Sequence, residues 1–394
     1  MADRRAPVIV GIGLSDCGVA PHLDAAQHHA LAASRAIADC GVSIREIDGF
    51  MSTNTGGGVD TGYDQAPMMA EYFGIQPRWT DGTMIGGSTF ELYVQHAAAA
   101  IRTGRADTVL ITYGSDLLSR AGRRLGTSSL RGATSVPGAA QYEAPYGSIL
   151  IGAYAMAARR HMHEYGTTPE QLASIAVTAR TYAGWNPSAQ HRDPITVDDV
   201  LESRMVADPL HKLDCCIVSD GGGAIVMTTA ERARDLARAP IHVLGASSSQ
   251  THWVISQMPD FTRTSATQCG TEAFTEARLG PADIDTAQIY DSFTITTLLL
   301  LEDLGFCEKG AGGPFAASGA IGPGGSLPVN TDGGGLSACH PGMRGIFLIA
   351  EAVRQLRGEA GPAQVPDCEV ALACGSGAFL SCMAAVILGT EATV

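Results

Sequence analysis

The sequence predicts an α/β fold made of two similar halves. Apolar runs typical of buried strands alternate with segments that have a helical pattern. The 47 glycines among 394 residues suit a compact protein with many tight turns. Three strand-like segments of the first half also recur in the same order in the second half. A chain of this length can hold two domains or one large duplicated domain.

The first half contains three strand-like runs separated by helices. An apolar run at 7–13 is followed by a helical pattern from about 25 to 40. A second strand begins at 47, and glycines at 86 and 87 lead into an alanine-rich helix. The run 109–114 is the third strand. The alanines at 97–100 of the alanine-rich helix leave room for close packing.

The second half repeats this order. Strand-like runs begin at Pro240, Ile284 and Val370, and a glycine-led helix from Gly333 precedes the last of them, as in the first half. The predicted halves are residues 1–235, which include an insertion at 117–205, and residues 236–394. The insertion contains two capped helix starts, at Thr168 and near 196–199. A long insertion after a strand usually builds a lid or a binding surface.

The composition disfavours several classes of function. A formal charge of −14 argues against nucleic acid and anionic membrane as partners. No apolar run reaches transmembrane length, and the N-terminus lacks a signal-peptide pattern. The ten cysteines include no Cys-x-x-Cys pair, which fits neither a zinc site nor a secreted disulfide framework. We therefore expect a reduced, cytoplasmic protein without a metal of its own.

Three segments that follow apolar runs carry the candidate chemistry. The longest, 330–342, has three glycines running into Cys-His-Pro-Gly, with a helical pattern after it. Glycines before a helix let backbone or ligand approach the free N–H groups of the helix start, and His340 stands at that point. The other two are Tyr-Asp-Ser-Phe at 290–293 and Cys-Gly-Ser-Gly at 374–377. Taken alone, His340 allows two interpretations: a reactive imidazole, or a histidine that merely lies beside a glycine turn.

Taken together, several segments resemble the thiolase superfamily, specifically its sterol-carrier-type (lipid-transfer-protein-like) thiolases. The matching segments are 160–173, 214–222, 290–293, 334–342 and 374–377. The resemblance implies a thiolase fold, in which two βαβ-type halves form a five-layered α/β/α/β/α arrangement. It also implies action on acyl-coenzyme A thioesters, usually as a homodimer.

Two departures from the thiolase pattern imply a different reaction. Thiolases carry their nucleophilic cysteine three residues before a Gly-Ser-Thr-like run; here 87–89 fits that run, and Met84 occupies the cysteine position. A thioether has no ionisable sulfur and forms no acyl-enzyme. Tyr290 stands where thiolases place an asparagine or histidine. Both features resemble the thiolase-like aldolases of bacterial steroid side-chain degradation.

The aldolase resemblance implies a substrate and a partner. Those enzymes cleave a β-hydroxyacyl-CoA into a ketone and a shorter acyl-CoA. Coenzyme A then enters as part of the substrate, and no cofactor is bound permanently. They work with a small partner protein carrying an OB-fold and a zinc ribbon, which together with a homodimer implies a heterotetramer.

Retro-aldol chemistry assigns roles to three residues. It needs a base for the β-hydroxyl proton, a donor that stabilises the thioester enolate, and a proton source for the new α-carbon. Tyr290 and His340 are the predicted base and oxyanion donor, and the sequence does not decide which residue has which role. In the aldolase branch a tyrosine usually stands at the position of His340, so the histidine is a thiolase-like feature. Cys374 matches the thiolase cysteine that exchanges the α-proton and is the predicted proton source, the alternative being a small buried core residue. Asp291 is expected to hold a turn or a backbone N–H.

A basic patch follows the third strand of the first half. Its members are Arg120, Arg123, Arg124 and Arg131, and no acidic residue occurs from 117 to 141. Arginine binds phosphate well, so we predict that these residues contact the phosphates of coenzyme A. A solvated loop is the alternative.

Three functions stay open on the sequence. The predicted one is a carbon–carbon lyase, an aldolase that cleaves a β-hydroxyacyl-CoA such as a steroid side-chain thioester. The first alternative is an acetyl-CoA acyltransferase, a thiolase-type enzyme of lipid or aromatic degradation that uses another cysteine. The second is a non-catalytic acyl-CoA- or lipid-binding relative.

Overall fold

The computed structural model describes residues 4–53, 65–121, 138–147 and 149–394. Its strands are β1 Pro7–Leu14, β2 Gly49–Ser52, β3 Trp79–Asp81, β4 Thr108–Ser115, β5 Met205–Ala207, β6 Leu210–His211, β7 Gly221–Thr229, β8 Ile241–Gln250, β9 Thr286–Ile289, β10 Val370–Gly377 and β11 Cys382–Gly389. Its α-helices are α1 Ala25–Cys40, α2 Gln65–Tyr72, α3 Thr89–Arg102, α4 Leu117–Ala121, α5 Ala140–Glu143, α6 Leu150–Tyr165, α7 Pro169–Trp185, α8 Val197–Glu202, α9 Ala230–Ala233, α10 Ala266–Ala277, α11 Thr294–Asp303, α12 Gly312–Ala317 and α13 Gly345–Leu356. In these ranges, no helix combines the length and apolarity that a membrane crossing needs.

Nine strands form a mixed sheet in which the two halves of the chain meet at β1 and β8. The order is β3-β2-β4-β7-β1-β8-β11-β10-β9. Outward from the β1–β8 contact, each half has two antiparallel pairings followed by parallel ones. Val329 extends the pattern beyond β9 through a parallel bridge to Ala287. The repeated order confirms the predicted α/β class with two similar halves, whereas the boundary between 235 and 236 stays a prediction.

Helices enclose the sheet and fill its centre. α3 and α13 contact each other and also contact strands of both halves. α1 packs on β1, β4 and β7, and α10 packs on β8 and β11. The sheet therefore folds over α3 and α13, which gives the layer order helix, sheet, helix, sheet, helix. α3 and α13 are accordingly buried on nearly all sides, as helices enclosed between two layers must be.

The insertion in the first half supports the candidate catalytic segment. Its helix α7 begins with the predicted cap, in which the Thr168 side chain accepts from the Gln171 N–H and the Gln171 side chain accepts from the Thr168 N–H. Thr196 and Asp199 cap α8 in the same way. α7 packs against α11, α12 and the π-helical turn Gly334–Ala338. The insertion thus lies directly against one of the three segments that carry the candidate chemistry.

A carboxyl group is buried in the central layer. Glu91 on α3 is 1% exposed, and within the described part of the chain neither of its carboxylate oxygens has a hydrogen-bond partner. Gly345 and Gly375 make room for it, because a Cβ on them would come within 2.3 and 2.4 Å of its Oε2. Burial raises the pKa of this carboxyl to about 8, so it is mostly neutral at neutral pH.

Replacing Glu91 with glutamine should make stability less dependent on pH. The folded-state pKa lies above the unfolded value, so this group's contribution to stability is complete below about pH 4.5 and is lost as the pH rises through about 8. Glutamine stays neutral throughout. Relative to wild type, the free energy of unfolding of Glu91→Gln should therefore rise by roughly 2–4 kcal/mol between about pH 5 and pH 8. Denaturant titrations of both proteins measure this, and parallel pH profiles would contradict the assignment.

Candidate active site

Tyr290 and His340 lie side by side in the interior. The Tyr290 hydroxyl and His340 Nε2 are 3.0 Å apart, and the two rings meet edge to face. Tyr290 directly follows β9, and its N–H donates to the Cys374 carbonyl at 2.9 Å. His340 lies between the turn Gly334–Ala338 and α13. Two of the segments identified in the sequence therefore meet at one hydrogen bond.

The ring of Tyr290 packs against the start of α3. A Cβ on Gly87 would be 2.4 Å from the Tyr290 Cζ and 2.4 Å from the Ser376 carbonyl oxygen, so this approach requires glycine. Met84, three residues before Gly87, is 56% exposed, and its Sδ accepts from the Gly86 N–H at 3.2 Å. Tyr290 therefore adjoins the helix start to which the resemblance assigns a nucleophile. At that helix start the chain has the thioether of Met84.

One cysteine packs near this helix start. Cys382 shares a buried apolar cluster with Ile85 and Leu92. Its Sγ lies 3.6 Å from the Ser381 hydroxyl oxygen, and burial raises the pKa of its thiol. Its environment is therefore that of a neutral packing residue, not of an activated nucleophile.

Burial sets the protonation states of the Tyr290–His340 pair. It raises the pKa of the Tyr290 hydroxyl well above its ordinary value, so the phenol keeps its proton. Burial, reinforced by the charge of Arg344, lowers the pKa of His340 to about 4. At neutral pH the pair consists of a phenol and a neutral imidazole. The phenol can donate a hydrogen bond, and the imidazole can accept a proton.

A buried ion-pair network connects the segment that carries Tyr290 to the segment that carries His340. Asp291 accepts from the N–H groups of Gly335 at 2.7 Å and Leu336 at 3.1 Å, as expected for a residue that holds backbone N–H groups. Arg344, which is fully buried, donates to Asp332 at 2.6 Å, and its Nε lies 3.6 Å from Asp291. Burial raises the pKa of Asp291 to about 6, with Arg344 opposing the shift. Asp291 is therefore a positioning residue.

Two further polar residues position the backbone of His340. The His340 N–H donates to the Ser219 hydroxyl at 3.1 Å, and that hydroxyl donates to Gln190 Oε1 at 2.6 Å. The Gln190 N–H in turn donates to the Ala338 carbonyl at 2.9 Å. Sequence reasoning did not find either residue. The match at 214–222 indicated that this stretch belongs with the site but did not identify the contact.

Cys374, the predicted proton source, projects from the face of β10 opposite to α3, and its catalytic role stays a prediction. Its neighbour Gly375 faces α3, where a Cβ would meet Ser88 and Glu91. Successive side chains of a strand point to opposite faces, so Cys374 points away from α3. Its thiol instead lies near the Cys269 thiol on α10, and this contact and burial raise the pKa of Cys374 well above the ordinary value.

Replacing Cys374 with alanine should leave cleavage within a few-fold of wild type. The substitution removes a buried sulfur, which should cost about 1–2 kcal/mol of stability without touching the Tyr290–His340 pair. Steady-state kinetics and a denaturant titration measure the two effects separately. A loss of about a hundredfold in kcat would support the role of Cys374 as a proton source.

A cavity of ≈ 710 Å³ opens beside the site. Cys216 and Leu336 line it, and their N–H groups donate to the Ser292 carbonyl at 2.9 Å and to Asp291 at 3.1 Å. The cavity therefore adjoins the residues that directly follow Tyr290. Most of its lining is apolar, and the nitrogen-bearing side chains in it are Arg180, Gln190, His191, Arg204 and Lys212. An apolar cleft with a few polar groups is the usual form of a small-molecule site.

One residue of the predicted arginine patch, Arg120, lies within the described residues. Arg120 lies exposed on α4. Arg123, Arg124 and Arg131 lie outside the described residues. Sequence reasoning missed Arg204 and Lys212 of the cavity, although both stand close before the Asp-Cys-Cys match at 214–216. In the described ranges, no group of three or more His, Cys, Asp or Glu side chains could hold a metal ion.

The two-half sheet, the enclosed central helices and the paired tyrosine and histidine segments define a thiolase-type protein. Residues 247–390 match the family model described as thiolase C-terminal domain-like. Full-length relatives extend the match over most of the chain. The chain belongs to the thiolase superfamily.

Its relatives include both lyases and acyltransferases. It is 39% identical to a 17-hydroxy-3-oxo-4-pregnene-20-carboxyl-CoA lyase of Mycobacterium tuberculosis, over 89% of this chain and 91% of the lyase. It is 35% identical to an acetyl-CoA acetyltransferase of Methanothermobacter thermautotrophicus, over 86% of this chain and 87% of that enzyme. Among solved structures, the Ltp2-ChsH2(DUF35) aldolase matches with a TM-score of 0.86 and 32% identity over 98% of each chain.

Proposed function

We propose that this chain is a carbon–carbon lyase that cleaves a β-hydroxyacyl-CoA by a retro-aldol reaction into a ketone and a shorter acyl-CoA. The observation that carries the proposal is the buried Tyr290–His340 hydrogen bond next to a helix start that bears Met84 in place of a nucleophile. Retro-aldol cleavage requires proton transfers and enolate stabilisation but no covalent intermediate. A phenol paired with a neutral imidazole suits those requirements.

In the first step the β-hydroxyl loses its proton to the pair. Neutral His340 is the acceptor, directly or through the Tyr290 hydroxyl, which passes one proton on as it takes another. The bond between the α- and β-carbons then breaks, and its electron pair moves to the thioester enolate. The β-carbon leaves as a ketone. The Tyr290 hydroxyl, which stays protonated, is the donor suited to the enolate oxygen.

In the second step the enolate carbon takes a proton. Since Cys374 faces away, the proton taken up by His340 in the first step is the one returned. With a pKa of about 4, protonated His340 is a stronger acid than an ordinary imidazolium, which favours this return. The proton taken up in the first step is returned in the second, so Tyr290 and His340 end in their starting protonation states.

The cavity supplies a binding site for the thioester. Its apolar walls suit a bulky acyl group, and a steroid side-chain thioester is the substrate class we propose, in line with the name of the lyase relative. Arg204 and Lys212 line the cavity, and we propose that they contact the phosphates of coenzyme A. Phosphate binding by the arginine patch stays a prediction from the sequence. Coenzyme A enters only as part of the substrate, and no cofactor is bound permanently.

The proposed assembly contains a second protein. The solved aldolase is named as Ltp2 together with ChsH2(DUF35), and this supports a partner for the present chain as well. We propose a small partner with an OB-fold and a zinc ribbon, two copies of which join a homodimer of this chain as a heterotetramer. Coexpression followed by light scattering tests the composition.

An acetyl-CoA acyltransferase is the second candidate, favoured by the acetyltransferase relative and by His340, a thiolase-like residue at its position. Intact-mass spectrometry during turnover separates the two, because only an acyltransferase accumulates an acyl-enzyme. We expect no adduct on the wild-type chain with either β-hydroxyacyl- or β-ketoacyl-CoA. Met84→Cys is the matched control, since it places a thiol at the nucleophile position. A wild-type acyl adduct on any cysteine would favour the acyltransferase.

A further inference from the structure

Two thiols face each other beside the segment that carries His340. Cys17 lies in the loop after β1, and Cys339 directly precedes His340. A Cβ on Gly221 would be 3.3 Å from the Cys17 Sγ and 3.2 Å from the Cys339 Sγ, so both sulfur atoms pack against the same glycine. The two thiols are also close enough for each to shift the pKa of the other. The sequence separates these cysteines by most of the chain, and the fold brings them together.

The two thiols differ in exposure and in charge environment. Cys17 is half-buried and lines a cavity of ≈ 560 Å³, whereas Cys339 is 4% exposed. The neighbouring Cys339 thiol lowers the pKa of the Cys17 thiol, the charges of Arg344 and Arg354 act in the same direction, and burial opposes them. Burial raises the pKa of Cys339 well above its ordinary value. A half-buried thiol that lines a cavity near two arginines, next to a buried second thiol, is the arrangement of a redox-sensitive pair.

We propose that Cys17 and Cys339 form an oxidisable dithiol that a hydroperoxide converts into a disulfide. The Cys17 thiolate attacks an oxygen of hydrogen peroxide, a sulfur–oxygen bond forms, the oxygen–oxygen bond breaks, and one water leaves after uptake of a proton. The Cys339 sulfur then attacks the sulfenic sulfur of Cys17. The sulfur–sulfur bond forms, and the hydroxyl leaves as water with the Cys339 proton. The thiols lose two electrons, and the peroxide gains them.

Disulfide formation would displace the segment next to the catalytic pair. The Cys339 N–H donates to the Gly334 carbonyl at 3.2 Å, and its own carbonyl accepts from Arg344 at 2.8 Å. A sulfur–sulfur bond is about 2 Å long, well below the contact distance of two thiols, so closing it draws Cys339 toward Cys17. His340 follows directly in the chain and moves with it, which disturbs its 3.0 Å contact with the Tyr290 hydroxyl. Peroxide would therefore switch off cleavage reversibly, a consequence that depends on the proposed function.

The test treats the purified protein, in its assembled form, with a few equivalents of hydrogen peroxide. Intact mass, peptide mapping after alkylation and cleavage activity are then measured. We expect the loss of two hydrogen masses, a linked peptide pair containing Cys17 and Cys339, and cleavage lowered about a hundredfold and restored by dithiothreitol. Cys17→Ser should form no linked pair and should keep its activity after peroxide. Cys368→Ser, which changes another half-buried cysteine, is the matched control and should behave as wild type does.

The readouts separate the possible failures. Absence of the linked pair in peroxide-treated wild type, with Cys17 still open to alkylation, would overturn the dithiol. A linked pair with unchanged activity would overturn its coupling to His340. A wild-type chain with no cleavage activity before treatment would instead contradict the proposed function, and the mass measurement would still decide the dithiol. Cys17→Ala replaces Cys17→Ser as the test variant if serine disturbs folding.

Discussion

Replacing Tyr290 with phenylalanine should lower cleavage by at least about a hundredfold while leaving the protein folded. The change removes one hydroxyl and keeps the ring that packs against Gly87. Loss of the hydrogen bond to His340 should cost at most about 1–2 kcal/mol of stability. A residue that donates to the developing oxyanion or relays a proton contributes roughly 3–5 kcal/mol of barrier. Steady-state kinetics of the assembled complex and denaturant titrations of the chain distinguish these effects.

Tyr93→Phe is the matched control for that experiment. Tyr93 is also a buried tyrosine whose hydroxyl donates a hydrogen bond, to the Ser52 carbonyl at 3.0 Å, but that bond lies outside the Tyr290–His340 pair. It should lose a similar amount of stability and keep cleavage. Assembly with the partner is checked first, so that a failure to assemble is not mistaken for lost chemistry. If Tyr290→Phe cleaves within a few-fold of wild type, the tyrosine is structural and the proton transfer belongs to His340 alone.

Replacing His340 with glutamine should also lower cleavage by about a hundred- to ten-thousandfold. Glutamine can still hydrogen-bond to the Tyr290 hydroxyl, so the pocket should keep its shape. The amide cannot take up a proton, whereas the neutral imidazole can. Both kcat and kcat/KM should fall together, because the proton acceptor acts in the transition state.

His242→Gln serves as the control for this variant. His242 is a half-buried histidine in β8, where it pairs with β1 and β11, away from the Tyr290–His340 pair. Its replacement should leave kcat and KM unchanged. An active His340→Gln protein would remove the histidine from the proton path and leave Tyr290 as both donor and acceptor. The aldolase branch, which usually has a tyrosine at the position of His340, would then be a poor guide to this site.

The fold could be predicted from the sequence because the patterns that indicate its strands and helices are local and recur in both halves. Strand-like runs in the same order indicated two halves, and the structure repeats the pairing pattern outward from β1 and β8. The cap at Thr168 depends on residues next to it in the chain and was predicted correctly. How α3 and α13 would be enclosed by both halves depends on contacts between distant segments, which no local pattern specifies.

Sequence reasoning selected Tyr290 and His340, which the fold places side by side, while their catalytic roles stay a prediction. Tyr290 and His340 follow a strand and a glycine turn, and their segments converge at the start of α3. Cys374 was assigned from its position in a motif, but the face on which a strand residue lies depends on register with its neighbours. A shift of one residue reverses that face, and here Gly375 points to α3. Ser219, which holds the His340 N–H, comes from a distant segment and had no signal of its own.

Product analysis tests the central claim most directly. The assembled protein, with its partner, is incubated with matched β-hydroxyacyl- and β-ketoacyl-CoA thioesters, including a steroid side-chain thioester, with and without free coenzyme A. Products are identified by mass spectrometry. The account predicts a ketone and a shorter acyl-CoA from the β-hydroxyacyl-CoA, with no requirement for free coenzyme A, and no cleavage of the β-ketoacyl-CoA. Two acyl-CoA products formed from the β-ketoacyl-CoA only when free coenzyme A is present would contradict it.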